Sequence, residues 1–383
     1  MLVLDLYSES RPQWGDPNSS WYRKEGFDGH QWLYCMLLNY GGNVGLHGKM
    51  QHVIDEYYKA VESPFGNTLQ GVGMTMEGSE NNPVMYELLC ELPWRSSGFS
   101  KDEWLKGYIS ARYGKCTPRL LEAWVLLGNS IYNCPSRSTQ QGTHESIFCA
   151  RPSLNAYQAS SWSEMSDYYN PHDVLRAARL FLEEAGQFKG NNNFEYDLVD
   201  ITRQAVAEKG RLIYKVIQAA YNAGDKPLLR LASDRFLELL LQQDRLLATR
   251  PEFKVGRWIE QARNLGHTPE EKDWLEWNAR VQITTWGNRV ASDDGGLHDY
   301  AHKEWNGLLK DFYYLRWKTW LDRLNNLPGN DPANDPANDP ANEIDYYSLE
   351  EPWTLQHNFY SPVKEGDCIE TVKTTNYKLS TIN

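Results

Sequence analysis

The chain has no CxxC pair, no apolar run long enough to cross a bilayer and no excess of positive charge, and each absence removes a class of function. Its six cysteines, Cys35, Cys90, Cys116, Cys134, Cys149 and Cys368, are scattered, which argues against a zinc ribbon or a disulfide-dense scaffold. One bridge stays open: Cys134 and Cys149 bracket a loop rich in Ser, Thr and Gly, where an oxidising compartment would allow a disulfide. No stretch approaches the roughly 18 apolar residues of a spanning helix, and no signal peptide precedes Leu2. A single Asn-x-Ser sequon, at Asn18, is too little to argue for a glycoprotein. Lysine and arginine number 39 against 51 acidic residues, a net charge of −12. That sign disfavours nucleic acid and anionic membrane surfaces as partners, because both select basic patches.

What is present begins with three apolar stretches that each run into polar or glycine residues: Leu2 to Ser10, Trp32 to Asn43 and Gly71 to Asn82. They read as buried strands followed by loops, and a helical pattern from Val84 to Leu92 starts just after the third. In a parallel β/α architecture the chemistry sits at the carboxyl ends of the strands. Glu77 falls at such an end and is the candidate catalytic carboxylate. Gly41 and Gly42 let the backbone turn tightly and approach a ligand, and Asn39 and Asn43 bring amides to the same rim. Three such units resemble the closing third of a (β/α)8 barrel.

Past residue 97 the period changes from strand to helix, so the expected class is α/β plus all-α: a barrel portion over 1–97 and a large, mostly α-helical domain over 98–383. Thr117-Pro118 has the form of a helix start, with Leu120, Trp124, Leu127 and Ile131 on one face. Asn170-Pro171 begins another, with Val174, Ala178, Phe181 and Ala185 inward. Thr268-Pro-Glu-Glu271 reads as a capping box ahead of Trp274, Trp277 and Val281. Further helical runs cover roughly 196–222, 228–248 and 302–325. Asp-Pro-Ala-Asn occurs three times over 331–342. Proline removes amide donors and disfavours helix before it, so this repeat is expected as a solvated, irregular loop.

Taken together, Trp32 to Gly45, the Gly-Met-x-x-Glu-Gly segment at 73–78, Tyr132-Asn-Cys134, Arg151-Pro-Ser-Leu154, Tyr196 to Ala205, Trp286-Gly and Asp299-Tyr-Ala resemble the α-N-acetylglucosaminidase family of glycoside hydrolases. The resemblance runs nearly end to end, but only to the carboxyl-terminal part of such an enzyme; an amino-terminal domain and the first half or more of the barrel have no counterpart. It implies a retaining double displacement that removes terminal, non-reducing α-linked N-acetylglucosamine from a glycan, with Glu77 as nucleophile. It also implies sugar contacts at Leu6, Leu37, Tyr40, His144, Trp286, Leu297 and Tyr300, part of the pocket coming from the helical domain, and no cofactor or metal.

The family's acid/base is a Glu after an Asn on an earlier barrel strand, and that segment is missing here. Within the chain, Glu9 and Glu80 are the carboxylates near enough in sequence to line the pocket, and Glu9 is the better stand-in, since Glu80 shares the loop of Glu77. His298 and His302 have the i, i+4 spacing of zinc hydrolases, but the residue after His298 is Asp and no third ligand is evident. The negative charge favours neutral, mucin-type α-GlcNAc glycans over heparan sulfate, and a secreted or periplasmic bacterial setting over a lysosomal one. The competing reading is a non-catalytic carbohydrate-binding or structural helical module.

Overall fold

A computed structural model describes residues 1–15, 17, 22–78, 81–135, 142–143, 145–161, 166–327 and 339–381. The backbone packs as two compact units, Met1–His144 with Ser163–Glu184, and Glu145–Trp162 with Ala185–Asn383.

The first unit holds a parallel three-stranded sheet: β1 (Leu2–Asp5), β2 (Gln31–Met36) and β3 (Leu69–Met74), in that order. Parallel neighbours need a crossover, and the helix Met50–Glu62 supplies it between β2 and β3. Of the three strands expected to be buried, only β2 is, with Trp32, Tyr34, Cys35 and Met36 sealed from solvent. β1 and β3 each pair on one side only, so Leu2 and Met74 stay about half exposed, at 50% and 52%. The carboxyl-terminal rim curls inward. Thr75 Oγ1, just past β3, donates to the carbonyl of Leu6, just past β1, at 2.6 Å, whereas strands two apart in a flat sheet are separated by about 9.6 Å.

The helix Pro83–Glu91 follows β3, and three further helices, Lys101–Tyr113, Pro118–Asn129 and Pro171–Glu184, also belong to this unit. Thr117 caps the second, its side chain accepting from the amide of Leu120 at 3.2 Å, and Leu120, Trp124 and Leu127 are buried as their period predicts. Val174, Ala178 and Phe181 are buried on the third, where Phe181 meets Trp124 edge-on at 5.9 Å. These helices pack with the sheet in the first compact unit. Period reports the element type, while packing reports whose core an element joins.

In the second unit the long helix Asn192–Asn222 packs along Lys226–Leu247. Arg203 is buried between them and the following segment, donating to Asp200 at 2.7 Å and to Glu304 at 2.5 Å. The capping box at Thr268 is present and starts the helix Pro269–Gln282. Its inward face differs from the expected one, however: Trp274 and Trp277 are exposed, and Glu276, Ala279 and Arg280 are buried, because Arg280 and Arg263 both hold Glu276. Helix also starts later than the expected 302. Residues 303–307 are irregular, since the Asn306 backbone pairs with Phe253 and Val255 (2.8 and 3.1 Å); wide helical turns over Leu309–Tyr313 then lead into Tyr314–Asn326.

The last Asp-Pro-Ala-Asn copy is not a solvated loop. Asp339 is buried and accepts from Trp320 Nε1 at 2.9 Å and from the amide of Leu154 at 2.6 Å, and Pro340–Glu343 form a 3-10 turn; the earlier copies and Asn18 lie outside the described residues. Cys134 and Cys149 are each buried free thiols, so the bridge suggested by their loop is not formed. Among the described residues no helix is long and apolar enough to cross a membrane.

Candidate active site

The loops after the three parallel strands are stapled to one another. Past β2 the chain takes Leu38 into the left-handed region at φ 62°, then turns through Gly41 and Gly42 at φ 58° and 66°. The amide of Gly41 donates to Glu77 Oε2 at 2.6 Å. Gly78 must be glycine, because a Cβ there would lie 2.6 Å from the Cα of Gly42. Asn39 Nδ2 donates to Asn81 Oδ1 at 2.9 Å and to the Gly78 carbonyl at 3.3 Å, and Asn81 Nδ2 donates to the Asn43 carbonyl at 3.1 Å. Glu77 itself is exposed at the carboxyl end of β3.

Leu6 is exposed, Leu37 and Tyr40 are half-buried, and Asn39 and Asn43 are fully buried between the loops, not spread on an open rim. Burial raises the Tyr40 phenol, which meets Tyr7 edge-on at 5.8 Å. Glu9 is buried too, at 2% exposure, and its Oε1 accepts from the amides of Leu37 and Leu38 at 3.0 and 2.8 Å. A carboxyl walled off from solvent in this way cannot protonate an incoming glycosidic oxygen. Glu80 and His144 lie outside the described residues.

In the second unit Trp286, Leu297 and Tyr300 come together. Trp286 ends a helical turn, its amide donating to the Val281 carbonyl at 2.8 Å, with φ 61° where glycine would be usual. A tryptophan held in that conformation is an outlier that points to function. Its indole packs on Tyr300 at 4.9 Å and 65°, and the Tyr300 amide donates to the Leu297 carbonyl at 3.2 Å. Asp299, at φ 57°, is clamped by Arg316 at 2.9 and 3.1 Å.

The segment around His298 and His302 is a turn and not a helix, so their spacing does not place both rings on one face. His302 is buried and held down to about 4 by that burial, its neutral ring donating from Nδ1 to the Asp299 carbonyl at 3.0 Å. Among the described residues the one cluster compact enough to share an ion is Asp273, Glu276 and His357. Two guanidinium groups, those of Arg263 and Arg280, already occupy Glu276 there.

Comparison with known proteins fits this geometry. Residues 104–378 match the family described as the alpha-N-acetylglucosaminidase (NAGLU) C-terminal domain, and residues 1–96 match its tim-barrel domain. This chain belongs to the α-N-acetylglucosaminidase family. It is 34% identical over 377 residues to the human α-N-acetylglucosaminidase, a match spanning 97% of this chain and 47% of that protein. A Clostridium perfringens family 89 glycoside hydrolase in complex with PUGNAc superposes with a TM-score of 0.88 at 33% identity, over 100% of this chain and 42% of that one. A form of the C. perfringens enzyme with two glutamates changed to glutamine, in complex with its substrate GlcNAc-α-1,4-galactose, gives a TM-score of 0.86 at 33% identity, over 97% and 41%. The chain thus spans about half the length of the α-N-acetylglucosaminidase relatives it matches and is a carboxyl-terminal portion of that fold.

Inside this α-N-acetylglucosaminidase barrel portion lies a second buried carboxyl that sequence reasoning passed over. Asp5 Oδ2 accepts from the Gln13 amide at 3.0 Å, while Oδ1 is buried without a partner. Burial, against the hydrogen bonds of Gln13 and Ser8, raises its pKa from 3.8 to about 6. The folded state therefore holds the proton more tightly than the unfolded state, and the stability tied to Asp5 is present below about 4 and lost as pH rises through about 6. Asp5→Asn should be more stable than the parent at pH 8, by up to roughly 3 kcal/mol, with the difference shrinking towards pH 4. Urea unfolding at several pH values checks this, and a variant less stable at pH 8 would refute it.

Proposed function

We propose that this chain is the carboxyl-terminal part of a retaining exo-α-N-acetylglucosaminidase, with Glu77 as nucleophile. The observation that carries the reading is the placement of an exposed carboxylate at the carboxyl end of a parallel strand, one oxygen fixed by the Gly41 amide at 2.6 Å. Glycoside hydrolysis with retention needs two carboxyl groups, and the C. perfringens relative was solved with its substrate in a form with two Glu-to-Gln changes.

In the proposed reaction Glu77 attacks the anomeric carbon of a terminal α-linked N-acetylglucosamine. The glycosidic oxygen leaves with a proton from the second carboxyl group, and a glycosyl ester forms. Water, deprotonated by that same group, then opens the ester and restores the α-configuration. The family resemblance assigns sugar contacts to Leu6, Leu37 and Tyr40, and likewise to Trp286, Leu297 and Tyr300, as aromatic faces and phenol heads suit a pyranose and its hydroxyls. His144 is assigned a sugar contact by family resemblance alone. Asn39 and Asn43, buried in the loops, serve as braces for that rim.

The proton donor is expected on an earlier barrel strand, because the described rim offers no second carboxylate open to solvent beside Glu77. A protein that carries the matching amino-terminal barrel segments should cleave an aryl α-N-acetylglucosaminide, whereas residues 1–383 alone should not. Proton NMR should show α-GlcNAc as the first-formed sugar. Release of the β-anomer first would exclude the retaining assignment, and no hydrolysis at all would favour a non-catalytic sugar-binding module.

A further inference from the structure

We propose that Glu9 is a positioning residue for Glu77: it fixes the backbone of the loop after β2, and that loop presents the amide that holds the nucleophile. The inference rests on the reading of Glu77 given above. Glu9 Oε1 accepts from two consecutive amides, Leu37 at 3.0 Å and Leu38 at 2.8 Å. Those amides flank the place where the loop enters its unfavourable conformation, with Leu38 at φ 62°, a region that a leucine occupies only when its surroundings enforce it. Asn39 then closes a tight turn, its amide donating to the Leu37 carbonyl at 2.7 Å, and two residues on the Gly41 amide reaches Glu77 Oε2 at 2.6 Å. Contacts thus run from the loop after β1, through the loop after β2, to the carboxylate after β3.

The chemistry of Glu9 suits a brace and not a proton donor. It is 2% exposed, and its Oε2 is buried with no hydrogen-bond partner. Burial, against the Leu38 hydrogen bond and the nearby Lys49, raises its pKa to about 8, so near neutral pH the group is mostly the uncharged acid. A carboxamide is isosteric with that form and keeps the accepting oxygen. Lys49 is buried as well, donates to Ser10 Oγ at 2.6 Å, and is shifted down by burial.

The test compares Glu9→Met, Glu9→Gln and the parent in the full-length protein, by steady-state kinetics on an aryl α-N-acetylglucosaminide and by amide hydrogen exchange. Glu9→Met should lower kcat by about 10- to 100-fold with KM changed less than about threefold, as a small misplacement of a reacting group does. Exchange at Leu37 to Gly42 should accelerate at least about tenfold. Glu9→Gln should restore both to within about threefold of the parent. If Glu9→Met does not fold, Glu9→Asp, one methylene too short to reach both amides, is expected to show the same losses.

Unchanged kcat and exchange in the shortened or apolar variants would overturn the proposal. So would a Glu9→Gln protein as inactive as one lacking the nucleophile, since Glu9 would then be delivering a proton. A parent protein that fails to cleave the glycoside defeats the reading of Glu77 alone; exchange at Gly41 still decides whether Glu9 holds the loop.

Discussion

Glu77→Gln in the full-length protein should lower kcat by at least about 1,000-fold, the scale on which removal of a covalent nucleophile acts. The substitution is conservative for everything except chemistry. Glutamine keeps an oxygen that can accept from the Gly41 amide, and the side chain is exposed, so no buried charge or cavity is created. Thermal unfolding should therefore stay within about 2 °C of the parent, as for other surface substitutions. What disappears is the electron pair that forms the glycosyl ester. A Glu77→Gly variant supplied with azide tests the same point with a positive signal: azide enters the vacated side of the sugar and should yield the β-glycosyl azide from an aryl α-glycoside. Recovery of the α-azide, or more than a few per cent residual hydrolysis by Glu77→Gln, would remove Glu77 from the nucleophile role.

Arg316→Met is expected to destabilise the second unit by about 3–5 kcal/mol, a large share of the stability of an ordinary domain. Arg316 is fully buried. It donates to Asp299 at 2.9 and 3.1 Å and to the Cys149 carbonyl at 3.1 Å, and its Nε lies 2.8 Å from Glu350. Arg151 shares Glu350 at 2.8 Å and reaches Asp293 at 2.8 Å, so among the described residues Glu350 keeps Arg151 as a partner after the change whereas the Asp299 carboxylate keeps only His298, at 3.1 Å. The cost is that of a buried charge left nearly alone, not of a lost attraction.

Two consequences separate this mechanism from simple loss of packing. In the parent, burial pushes the Asp299 pKa up but Arg316 and His298 outweigh it, leaving the carboxyl below its ordinary 3.8. The stability it contributes is thus present above about 4 and fades only at lower pH. In Arg316→Met burial is left to dominate, the shift reverses, and the variant should regain stability as pH is lowered from 8 towards 5. The double variant Asp299→Asn/Arg316→Met should also be more stable than Arg316→Met alone. Denaturation of the second unit at several pH values measures both. A double variant less stable than the single one would show that Asp299 is not an uncompensated buried charge in Arg316→Met and would refute this account.

Signals contained within one turn of chain are legible in the residues themselves. Thr117 and Thr268 are caps because their side chains answer amides three residues ahead, at 3.2 Å in both cases. Leu120, Trp124 and Leu127 declare a buried face by spacing alone. Glu77 stands out because a strand, a carboxylate and a glycine follow in order, and the placement of chemistry at strand ends is a property of the fold class. On Trp274 and Trp277 the same reasoning fails. Apolar character suggests an inward face, but Glu276, which pairs with Arg263 and Arg280, takes the interior.

Local sequence thus settles that three strand-and-loop units precede a helical region, which residues start the helices, and that one carboxylate sits at a strand end; the order of motifs settles the family. Only the folded chain decides which groups hold that carboxylate and its neighbours in place. Glu9 meets Leu38 across 29 positions, Arg316 meets Asp299 across 17, and Asp339 meets Leu154 across 185. Periodicity and capping are energies of neighbours along the chain, whereas a buried carboxyl takes whatever donor the returning backbone brings within 3 Å, and no spacing rule in the sequence records that return.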